Sequence, residues 1–555
     1  MGIEGFTEYR KEDAEKYIKY GWWWGITWGD LLDKAADLYP NKEALVDDDG
    51  RFSYSLLREN VDRLSIGFIN LGIKKKDFVL LQLPNWHEFI CAYFALHKIG
   101  AILVLLVPRH AYAEISYLCA LTRPKAWILP ERYGKIDYLP LIESIKKENP
   151  QLAFFFSARA GESDHFISLK SLIDESKLSQ ENLKKLADRR PDPMEVGQIM
   201  PTGGTTGVPK AAPRTHNDYI ANAEYHSRAW EITSDDTILT VAPVSHGQGI
   251  LAGLGGSFIN FAKYVLTEST KPENICRIIE KEKVTAFPTV PTLINRLVNF
   301  EGLKRYDLSS LKKIYGGGAP SSPELVKLVY ERIGCKYVNA FGSVEGSSAM
   351  TRLDDDIETI CNTIGKKDCP YTQFKIIDQD GNELPPNTSG ELVTKGPTIF
   401  TGYFKSPEVN KDAFTHDGYF RTGDLANIDE NGYIKITGRI KDIILRGGES
   451  ISATEIEALI VTHPNISDVA VVGMPDKELG ERICAYVQVS SGSKIEANEI
   501  VSFLKNKGAS ILQLPERIEF IKEIPLTKVG KTDKKFLRDD IKKRMAIEQK
   551  KGSAK

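Results

Sequence analysis

The length, composition and charge of the chain exclude several classes of protein. Its 555 residues exceed what one hydrophobic core normally holds, and a hydrophobic content of 42% is ordinary for a globular protein. Because 73 Lys and Arg residues almost balance 75 Asp and Glu residues, no net charge draws the protein to nucleic acid or to anionic lipid. We therefore expect at least two domains, no nucleic-acid partner, and anion binding only at a local site.

The cysteines and the most apolar segment indicate a cytoplasmic protein without a membrane span. Seven scattered cysteines, odd in number and without CxxC spacing, favour reduced thiols over disulfides or zinc ligands. The N-terminus is charged and has no apolar signal-peptide core. The most apolar run, residues 99–108, lies between Lys98 and Arg109 and is too short to cross a bilayer.

An aromatic cluster precedes the first predicted strand. Its members are Trp22, Trp23, Trp24 and Trp28. Because large aromatic side chains bury much apolar area, we expect them to fasten an N-terminal segment onto the body of the protein. A sugar or membrane site is the alternative for such a cluster.

Short apolar strands then alternate with helical patterns. Residues 78–83 have a strand pattern, residues 88–99 a helical one, and residues 101–107 the next strand pattern. A helical pattern at residues 113–121 and strand patterns at residues 126–129, 237–241 and 284–287 continue the series. This alternation predicts a mostly parallel sheet with helices on both faces and ligands at the carboxyl ends of its strands.

The glycine-rich segment at residues 200–210, MPTGGTTGVPK, is the strongest chemical signal in the chain. Its glycines let backbone N–H groups approach an anion, its threonines add donors or metal ligands, and Lys210 adds charge. It is not a Walker A loop, because Val208 and Pro209 precede the lysine and Pro213 follows soon after. We predict a polyphosphate-binding turn between two strands, with a plain solvated loop as the alternative.

The pattern changes after residue 366. Residues 374–377 and 433–436 are strand patterns beside turn signals, as expected for antiparallel hairpins. Beyond residue 439, a helix start with Ser452 and Glu455 as a capping pair, and two further apolar strands, indicate a small α+β module. The polar C-terminal residues 542–555 are expected to fray.

Five further segments accompany the loop in a characteristic order. They are residues 315–320 (YGGGAP), 339–346 (NAFGSVEG), 419–424 (YFRTGD), 438–444 (GRIKDII) and 525–531 (PLTKVGK). Together they resemble the adenylate-forming superfamily of acyl-CoA synthetases, adenylation domains and luciferases, over about residues 27–537. Through residues 341–346, 351–355 and 107–110 the chain is most similar to ligases of ring carboxylic acids, such as dihydroxybenzoate:AMP ligases and benzoate-type CoA ligases.

The resemblance implies an α/β protein with two domains. Residues 1–440 would form a large N-terminal domain of parallel-rich αβα subdomains plus a distorted β-barrel, and residues 441–555 a small, mobile C-terminal α+β domain. The implied reaction joins a carboxylic acid to ATP, releases pyrophosphate, and passes the acyl group of the acyl-AMP to a thiol. ATP, Mg²⁺ and coenzyme A are therefore the implied cofactors.

By the same resemblance, several groups of residues would bind the nucleotide. Phosphate contacts would come from Thr202, Gly203, Gly204, Thr205, Thr206, Gly207 and Lys210. The adenine slot would be lined by Gly317, Gly318, Ala319, Asn339, Ala340, Phe341, Gly342 and Ser343, with Ile436 nearby. Asp424 would accept both ribose hydroxyls, since a carboxylate has two acceptor oxygens, and Arg439 would contact ribose or phosphate. Glu345 and Thr206 would ligate Mg²⁺, which prefers hard oxygen ligands.

Lys531 is the residue that the resemblance assigns to the acid-activating step. Its ammonium group would lie between the carboxylate and the α-phosphate and offset the charge that develops on both. The C-terminal domain would then rotate about a hinge at Lys441, so that a loop with Gly447 and Gly448 replaces the Lys531 loop and lines a tunnel for the thiol. Without its flanking motif, Lys531 would be only an exposed lysine in a lysine-rich region.

The acid pocket is expected around His246, which matches the family's aromatic residue beside the carboxylate. Gly247, Ala252 and Gly317 would line the remainder. Dihydroxybenzoate ligases carry Asn and Ser at the positions of Gly247 and Ala252, and those side chains meet the ring hydroxyls. Because a buried hydroxyl without a partner is costly, we expect an unhydroxylated aromatic or alicyclic acid, with short or branched aliphatic acids second.

Free coenzyme A is the expected acceptor, because no carrier domain is fused to the chain, and a separate carrier protein is the alternative. The reaction could also run towards ATP, since a thioester and a phosphoanhydride have comparable energies. Two other classes of protein need the loop but not Lys531: a phosphotransferase or ATPase that releases phosphate, and a catalytically silent nucleotide-binding module. The sequence leaves a homodimer open.

Overall fold

The computed structural model describes residues 2–159, 165–202, 209–319, 321–447, 449–490, 492–527 and 531–552. The chain forms two compact units: Met1–Gln373 with Thr394–Phe420, and Phe374–Val393 with Arg421–Lys555. We call them unit 1 and unit 2. Residues 374–393 and 421–440 thus belong to the same compact unit as the C-terminal residues. The predicted division into domains of residues 1–440 and 441–555, with the hinge at Lys441, stays a prediction.

Unit 1 is a mixed α/β structure. Its helices are α1 (Lys11–Lys19), α2 (Trp28–Leu38), α3 (Tyr54–Asn70), α4 (His87–Lys98), α5 (Tyr112–Thr122), α6 (Leu139–Glu148), α7 (Leu169–Glu175), α8 (Gln180–Ala187), α9 (His216–Ala229), α10 (Gly256–Ile259), α11 (Pro272–Glu282), α12 (Pro291–Val298), α13 (Pro323–Arg332), α14 (Ile357–Asn362) and α15 (Pro407–Ala413). Its strands are β1 (Glu43–Val46), β2 (Arg51–Ser53), β3 (Phe78–Leu81), β4 (Ile102–Leu105), β5 (Ala126–Pro130), β6 (Arg132–Tyr133), β7 (Ile136–Asp137), β8 (Phe154–Ala158), β9 (Ile167–Ser168), β10 (Val196–Thr202), β11 (Lys210–Thr215), β12 (Thr237–Thr240), β13 (Lys263–Leu266), β14 (Ala286–Thr289), β15 (Lys313–Gly317), β16 (Lys336–Gly342), β17 (Ser348–Met350) and β18 (Lys366–Lys367).

Two large sheets organise unit 1. Within the described residues, one has nine strands in the order β18-β17-β16-β15-β14-β12-β13-β1-β2, and the other has seven in the order β11-β10-β4-β3-β5-β8-β9. The strands from β16 to β1 and from β10 to β9 pair in parallel, whereas β2, β17, β18 and β11 pair antiparallel at the edges. The predicted parallel-rich α/β fold is confirmed.

The unit β3-α4-β4 illustrates why these residues fold in this way. All four residues of β4 are buried, as are the last three of β3, which suits strands covered on both faces. Helix α4 is buried from Phe89 to Lys98, because it lies within the largest apolar cluster of unit 1. Gly100, with φ of +70°, turns the chain from the helix into β4.

The N-terminal aromatic cluster lies against the body of unit 1, as the sequence predicts. Trp23 and Trp28 are each only 1% exposed. Trp22 stacks on Tyr371 with ring centroids 4.4 Å apart, and Trp28 packs edge-on against Tyr93 at 5.6 Å. These contacts fasten the N-terminal segment to residues far along the chain.

Unit 2 contains two smaller sheets and three described helices. Its strands are β19 (Gln373–Ile377), β20 (Gly390–Lys395), β21 (Phe420–Ile428), β22 (Ile434–Arg439), β23 (Ile443–Arg446), β24 (Glu449–Ser452), β25 (Ile466–Asp476), β26 (Gly480–Val489) and β27 (Arg517–Ile521), and its helices are α16 (Ala453–Ile460), α17 (Ala497–Asn506) and α18 (Lys534–Gly552). Strands β19 to β22 form a four-stranded sheet in chain order, where the sequence predicts a distorted barrel. Strands β23 to β27 form a second sheet with α16 packed on it.

Helix α18 corrects the expectation that residues 542–555 fray. The helix continues to Gly552. Leu537 and Ile541 are buried against β25 and β26, and Arg544 pairs with Asp540 at 2.6 Å and with Glu519 at 2.8 Å. These tertiary contacts compensate for the polar composition of the segment.

The sequence predicts neither a membrane span nor disulfide bonds. In the part of the chain that the structure describes, no helix is both long enough and apolar enough to span a membrane. All seven cysteines are unpaired thiols, and all except the partly exposed Cys361 are buried.

Candidate functional site

The carboxyl ends of the parallel strands β15 and β16 lie side by side at one edge of the nine-stranded sheet. In register, Gly316 of β15 lies beside Asn339 of β16, and Gly317 lies beside Ala340. Gly318 follows with φ of +84°, a conformation that favours glycine. Gly318, Ala319 and Gly342 are exposed, and Phe341 is partly exposed. The residues predicted to line the adenine slot therefore lie together at this edge.

Asn339 has a structural role at this edge. Its side-chain amide donates to the carbonyl oxygen of Thr363 at 2.9 Å, and its backbone N–H donates to Oγ1 of Thr351, also at 2.9 Å. The N–H of Thr351 in turn donates to the carbonyl oxygen of Asn339 at 3.0 Å. The side chain fixes the position of β16 relative to the residues after α14.

The predicted phosphate-binding segment begins and ends in two antiparallel strands. Thr202, at the end of β10, is the register partner of Lys210, at the start of β11. The two predicted strands on either side of the segment are confirmed. Residues 203–208, which include Gly203, Gly204, Thr205, Thr206 and Gly207, lie outside the described residues. The Nζ atom of Lys210 lies 4.6 Å from the ring centroid of Tyr403.

Glu345 follows β16 in a tight loop and is 9% exposed. The hydroxyl of Tyr403 donates to its Oε1 at 2.7 Å, and its carbonyl oxygen accepts from Phe400 N–H at 2.9 Å. The next residue, Gly346, has φ of +108°, and a Cβ there would lie 1.8 Å from the carbonyl oxygen of Thr398. Only glycine fits at that position, so the close packing of the loop requires it.

The surroundings of Glu345 fit a bound cation. Among the described residues, no Lys, Arg or His lies within ion-pair distance of its carboxylate. Burial and the neighbouring Glu345 charge raise the pKa of Tyr403 well above its ordinary value, so the phenol stays a neutral donor. Nearby, Ser343 Oγ is buried with no hydrogen-bond partner among the described groups. A carboxylate and an unsatisfied hydroxyl suit Mg²⁺ and nucleotide phosphate.

Arg214 supports this loop and was not identified from the sequence. The side chain is completely buried and pairs with Asp218 at 2.7 Å. Its Nη1 donates to the carbonyl oxygen of Val344 at 2.5 Å, and its Nη2 donates to that of Thr398 at 2.7 Å. The only signal in the sequence was an arginine inside an apolar strand pattern, four residues after Lys210.

The predicted acid pocket lies in the segment between β12 and a π-helix at Gly249–Gly255. His246 is partly exposed and Gly247 is buried. A Cβ on Gly247 would lie 3.9 Å from Cγ2 of Val344, which places this segment next to the Glu345 loop. Ala252 is 1% exposed within the π-helix. Single-turn π-helices are frequent at functional sites.

Asn85 holds the segment that carries His246, and the sequence indicated it only as a turn residue. Its Nδ2 lies within 3.1 Å of three carbonyl oxygens, and its Oδ1 accepts from Val244 N–H at 2.8 Å. The three carbonyl groups are those of Val241, Ala242 and Thr267. This amide connects the end of β3 in one sheet with the end of β12 in the other.

In unit 2, Asp424 and Arg439 face each other across the β21-β22 hairpin. They are register partners. Arg439 Nε donates to Asp424 Oδ1 at 2.5 Å, and Nη2 lies 3.4 Å from Oδ2. Asp424 is 3% exposed and its N–H donates to Oγ1 of Thr422 at 3.1 Å. Ile436, on the same hairpin, is the register partner of Ala426.

The predicted hinge, Lys441, lies in a short 3-10 helix, Ile440–Asp442, directly after β22. Arg538 of α18 donates to the Lys441 carbonyl oxygen at 3.3 Å and also pairs with Asp442. Among the predicted thiol-tunnel residues, Gly447 has φ of +59°, and its N–H donates to the carbonyl oxygen of Leu479 at 2.7 Å. Gly448 lies outside the described residues.

Lys531 lies beside Thr527 in unit 2. Its carbonyl oxygen accepts from Thr527 N–H at 2.6 Å, and its own N–H donates to Thr527 Oγ1 at 3.1 Å. The neighbouring residues Leu526 and Thr532 form an antiparallel bridge. The Lys531 side chain is exposed at the surface of unit 2.

A cluster away from this site, Asp47, His87 and Glu88, has the composition of a metal site. Arg159 already occupies it, with Nη2 at 2.8 Å from Asp47 Oδ2 and Nε at 3.1 Å from Glu88 Oε1. His87 Nδ1 lies 2.9 Å from the same Asp47 oxygen. The cluster is therefore a satisfied ion-pair network.

Comparisons with known proteins agree with this arrangement. The family described as AMP-binding enzyme matches residues 32–404, and its C-terminal domain matches residues 455–531. A 2,3-dihydroxybenzoate-AMP ligase of Bacillus subtilis (strain 168) is 36% identical, over 98% of this chain and 99% of that protein. A salicylyl-CoA synthase / salicylate adenylyltransferase of Streptomyces sp is 33% identical, over 98% of each chain. The apo structure of MbtA from Mycobacterium smegmatis is similar at a TM-score of 0.73, with 32% identity over 96% of this chain and 98% of that one.

Proposed function

Because the chain belongs to the family of AMP-binding enzymes, we propose that it is an ATP-dependent acid-thiol ligase. It activates an aromatic or alicyclic carboxylic acid as the acyl-AMP, releases pyrophosphate, and transfers the acyl group to a phosphopantetheine thiol. One observation carries this proposal: Glu345 is held by Tyr403, which also contacts Lys210 at the edge of the phosphate-binding segment. The same loop borders the pocket at Gly247 through Val344.

The acid-activating step needs charge neutralisation, because two anions must approach each other. Lys210 and the backbone N–H groups beside it would hold the β- and γ-phosphates. Glu345, with Thr206, would ligate Mg²⁺, which supplies positive charge beside the phosphate oxygens when it is bound. Lys531 would bring its ammonium between the carboxylate and the α-phosphate. Asp424 would accept hydrogen bonds from the ribose hydroxyls, and Arg439 would orient the Asp424 carboxylate.

The choice of acid depends on the positions of Gly247 and Ala252. Neither residue offers a hydrogen-bonding side chain, so a ring hydroxyl at either position would lose its water without gaining a partner. The names of the two curated relatives refer to hydroxylated acids, dihydroxybenzoate and salicylate. We propose that this chain shares their aromatic ring preference but favours rings without hydroxyl groups.

Coenzyme A is the acceptor that we propose, and the phosphopantetheine of a carrier protein is the second candidate. Both present the same thiol. The name of one of the two relatives includes a CoA synthase, whereas the name of the other, an AMP ligase, gives no thiol acceptor. Parallel assays with coenzyme A and with a pantetheinylated aryl carrier protein separate the two candidates.

Exchange of labelled pyrophosphate into ATP across a panel of carboxylic acids tests the proposal. We expect exchange that depends on the acid and is strongest for benzoate-like or cyclohexane-type acids. Exchange with no acid in the panel would contradict the proposed function. Exchange that is far stronger with salicylate or dihydroxybenzoate would contradict the proposed pocket while leaving acid activation intact.

A further inference from the structure

We propose that Tyr9, Trp23 and Arg214 are positioning residues for Glu345, and that they act by holding three consecutive backbone carbonyl groups. This inference rests on the proposed role of Glu345. We call the three side chains the carbonyl clamp. Trp23 Nε1 donates to the carbonyl oxygen of Pro397 at 2.8 Å, Arg214 Nη2 to that of Thr398 at 2.7 Å, and Tyr9 Oη to that of Ile399 at 2.7 Å.

The segment that carries the three clamped carbonyl groups, residues 397–399, is in direct contact with the loop that carries Glu345. Thr398 Oγ1 donates to the carbonyl oxygen of Gly346 at 3.2 Å, and the N–H of Phe400 donates to that of Glu345 at 2.9 Å. Arg214 also reaches the loop itself, through the carbonyl oxygen of Val344. The backbone on both sides of the Glu345 carboxylate is therefore fixed by groups from outside the loop.

Arg214 is suited to this task because its charge is fully compensated. The guanidinium is completely buried, and a buried charge is tolerated only with a partner and satisfied donors. Asp218 provides the countercharge at 2.7 Å, and the face of the Tyr219 ring lies 4.6 Å away. A planar guanidinium can donate to two carbonyl oxygens and a carboxylate at once, which an ammonium group cannot do with the same geometry.

Asp218 connects Tyr9 to Arg214. Its Oδ2 accepts from the backbone N–H of Thr215 at 2.9 Å, where it forms the capping box of α9, and lies 3.0 Å from the Tyr9 hydroxyl. The Tyr9 hydroxyl thus has two acceptors within hydrogen-bond distance, Asp218 Oδ2 at 3.0 Å and the carbonyl oxygen of Ile399 at 2.7 Å. Burial, followed by the Asp218 charge, raises the pKa of Tyr9 well above its ordinary value, and the phenol stays protonated.

The clamp gives the N-terminal segment a role in the active site. Tyr9 and Trp23 lie in edge-to-face contact with ring centroids 4.9 Å apart, so the two residues act as one anchor. They are separated from residues 397–399 by more than 370 positions in the chain. Loss of either contact would free the segment that packs on Glu345, without removing any group that touches the substrates.

Two conservative variants test the clamp. Tyr9→Phe removes one hydroxyl, and we expect kcat for pyrophosphate exchange to fall about 5-fold, the cost of one neutral hydrogen bond. Arg214→Lys keeps the positive charge but loses the planar guanidinium that donates to several acceptors at once. We expect kcat to fall on the order of 10²-fold, as for a displacement of ~1 Å at an active site. Tyr20→Phe, at a 60% exposed residue of the same segment, and Arg190→Lys, in an exposed ion pair with Asp30, are the matched controls.

A double-mutant cycle separates positioning of Glu345 from general destabilisation. In a Glu345→Gln background, adding Tyr9→Phe should lower kcat no further, because the group that Tyr9 positions is already gone. A full additional 5-fold loss in that background would overturn the proposal. Equal losses in the two control variants would also overturn it.

Hydrogen–deuterium exchange gives a readout that does not require activity. In Tyr9→Phe, amides in residues 343–347 and 397–400 should exchange faster, while those in β25 of unit 2 stay unchanged. Unchanged exchange in both segments would overturn the clamp. If the wild-type protein catalyses no pyrophosphate exchange with any acid, the proposed function fails, and this amide measurement still decides whether the clamp exists.

Discussion

Tyr403 donates its hydroxyl proton to Glu345 across 2.7 Å in the buried interior of unit 1. The same ring lies beside the ammonium group of Lys210. One side chain therefore connects the predicted metal-binding carboxylate with the predicted phosphate-binding segment. The sequence indicated both ends of this connection but not Tyr403.

Replacing Tyr403 by Phe should weaken the acid-activating step. The buried Glu345 carboxylate would lose the hydrogen bond that Tyr403 donates to it. A bond of that kind contributes about 1.5–3 kcal/mol, which corresponds to a loss of roughly 10- to 100-fold in rate. The rate of pyrophosphate exchange at one fixed pH measures the loss. Tyr54→Phe, which removes a buried hydroxyl bonded to Ala262, should leave that rate nearly unchanged, and an equal loss in both variants would contradict the role of Tyr403.

Replacing Lys531 by Ala should separate the two half-reactions. We expect acyl-AMP formation to fall by about 10²–10³-fold, as for other single donors that stabilise a transition state. Transfer from preformed acyl-AMP to the thiol should be largely retained, because we propose that it uses a different face of the C-terminal domain. Lys535→Ala removes a neighbouring exposed lysine and should change neither rate. Equal losses in both half-reactions would refute the role of Lys531.

Replacing Lys441 by Pro should trap one conformation. The residue lies in the 3-10 turn Ile440–Asp442, and proline there fixes φ near −65°. One half-reaction should survive while the other falls by at least about tenfold, equivalent to ~1.4 kcal/mol. Lys441→Ala, which keeps the backbone free, should retain both. Single-turnover assays of each half-reaction measure the effect, and a proline variant active in both would rule out the hinge.

Replacing Gly247 by Asn should change the preferred acid. Among the residues that the structure describes, a Cβ at Gly247 meets only Val344 Cγ2, at 3.9 Å, so a side chain can begin there without a clash with them. The wild type should favour benzoate over salicylate by roughly 10- to 100-fold in kcat/KM, because an unpaired buried hydroxyl costs about 1–3 kcal/mol. The Asn variant should reduce this ratio, as measured by exchange assays with both acids. A Gly247→Ala variant should not, because it adds volume without a donor.

Glu224 should make the protein less stable as the pH rises. Burial raises the pKa of Glu224 from 4.5 to about 7, although Arg228 nearby opposes the shift. Because the folded-state pKa is the higher one, the folded state binds more protons, and stability falls as the pH rises from about 4.5 to about 7. Glu224→Gln should remove this decline, with a gain on the order of 3 kcal/mol at pH 8. Unfolding midpoints of both proteins at pH 5 and pH 8 check the sign. A variant no more stable than wild type at pH 8 would contradict it.

The sequence predicted the repeating part of the fold well. The strand patterns at residues 78–83, 101–107 and 126–129 correspond to β3, β4 and β5, and the helical pattern at residues 88–99 corresponds to α4. These segments are apolar enough for their period and composition to determine the element. The prediction that the polar C-terminal segment frays is wrong for residues 542–552, because α18 depends on distant partners such as Glu519 that local composition cannot reveal.

The residues of the candidate site also fall into two groups, those that the sequence predicted and those that it did not. Gly317, Asn339 and Glu345 were predicted as site residues because their motifs resemble those of the adenylate-forming superfamily. Tyr403 and Arg214 were not found, because their importance comes from partners more than 50 residues away in the chain. Their contacts depend on how two sheets and several loops pack, and no local pattern records that packing.

The nucleotide product under turnover tests the central claim most directly. With ATP, a ring carboxylic acid and coenzyme A or a carrier thiol, we predict AMP and pyrophosphate in amounts equal to the thioester formed. Lys531→Ala should reduce the formation of AMP, pyrophosphate and the thioester together. ADP and phosphate as the only products from ATP would contradict acid activation through an acyl-AMP.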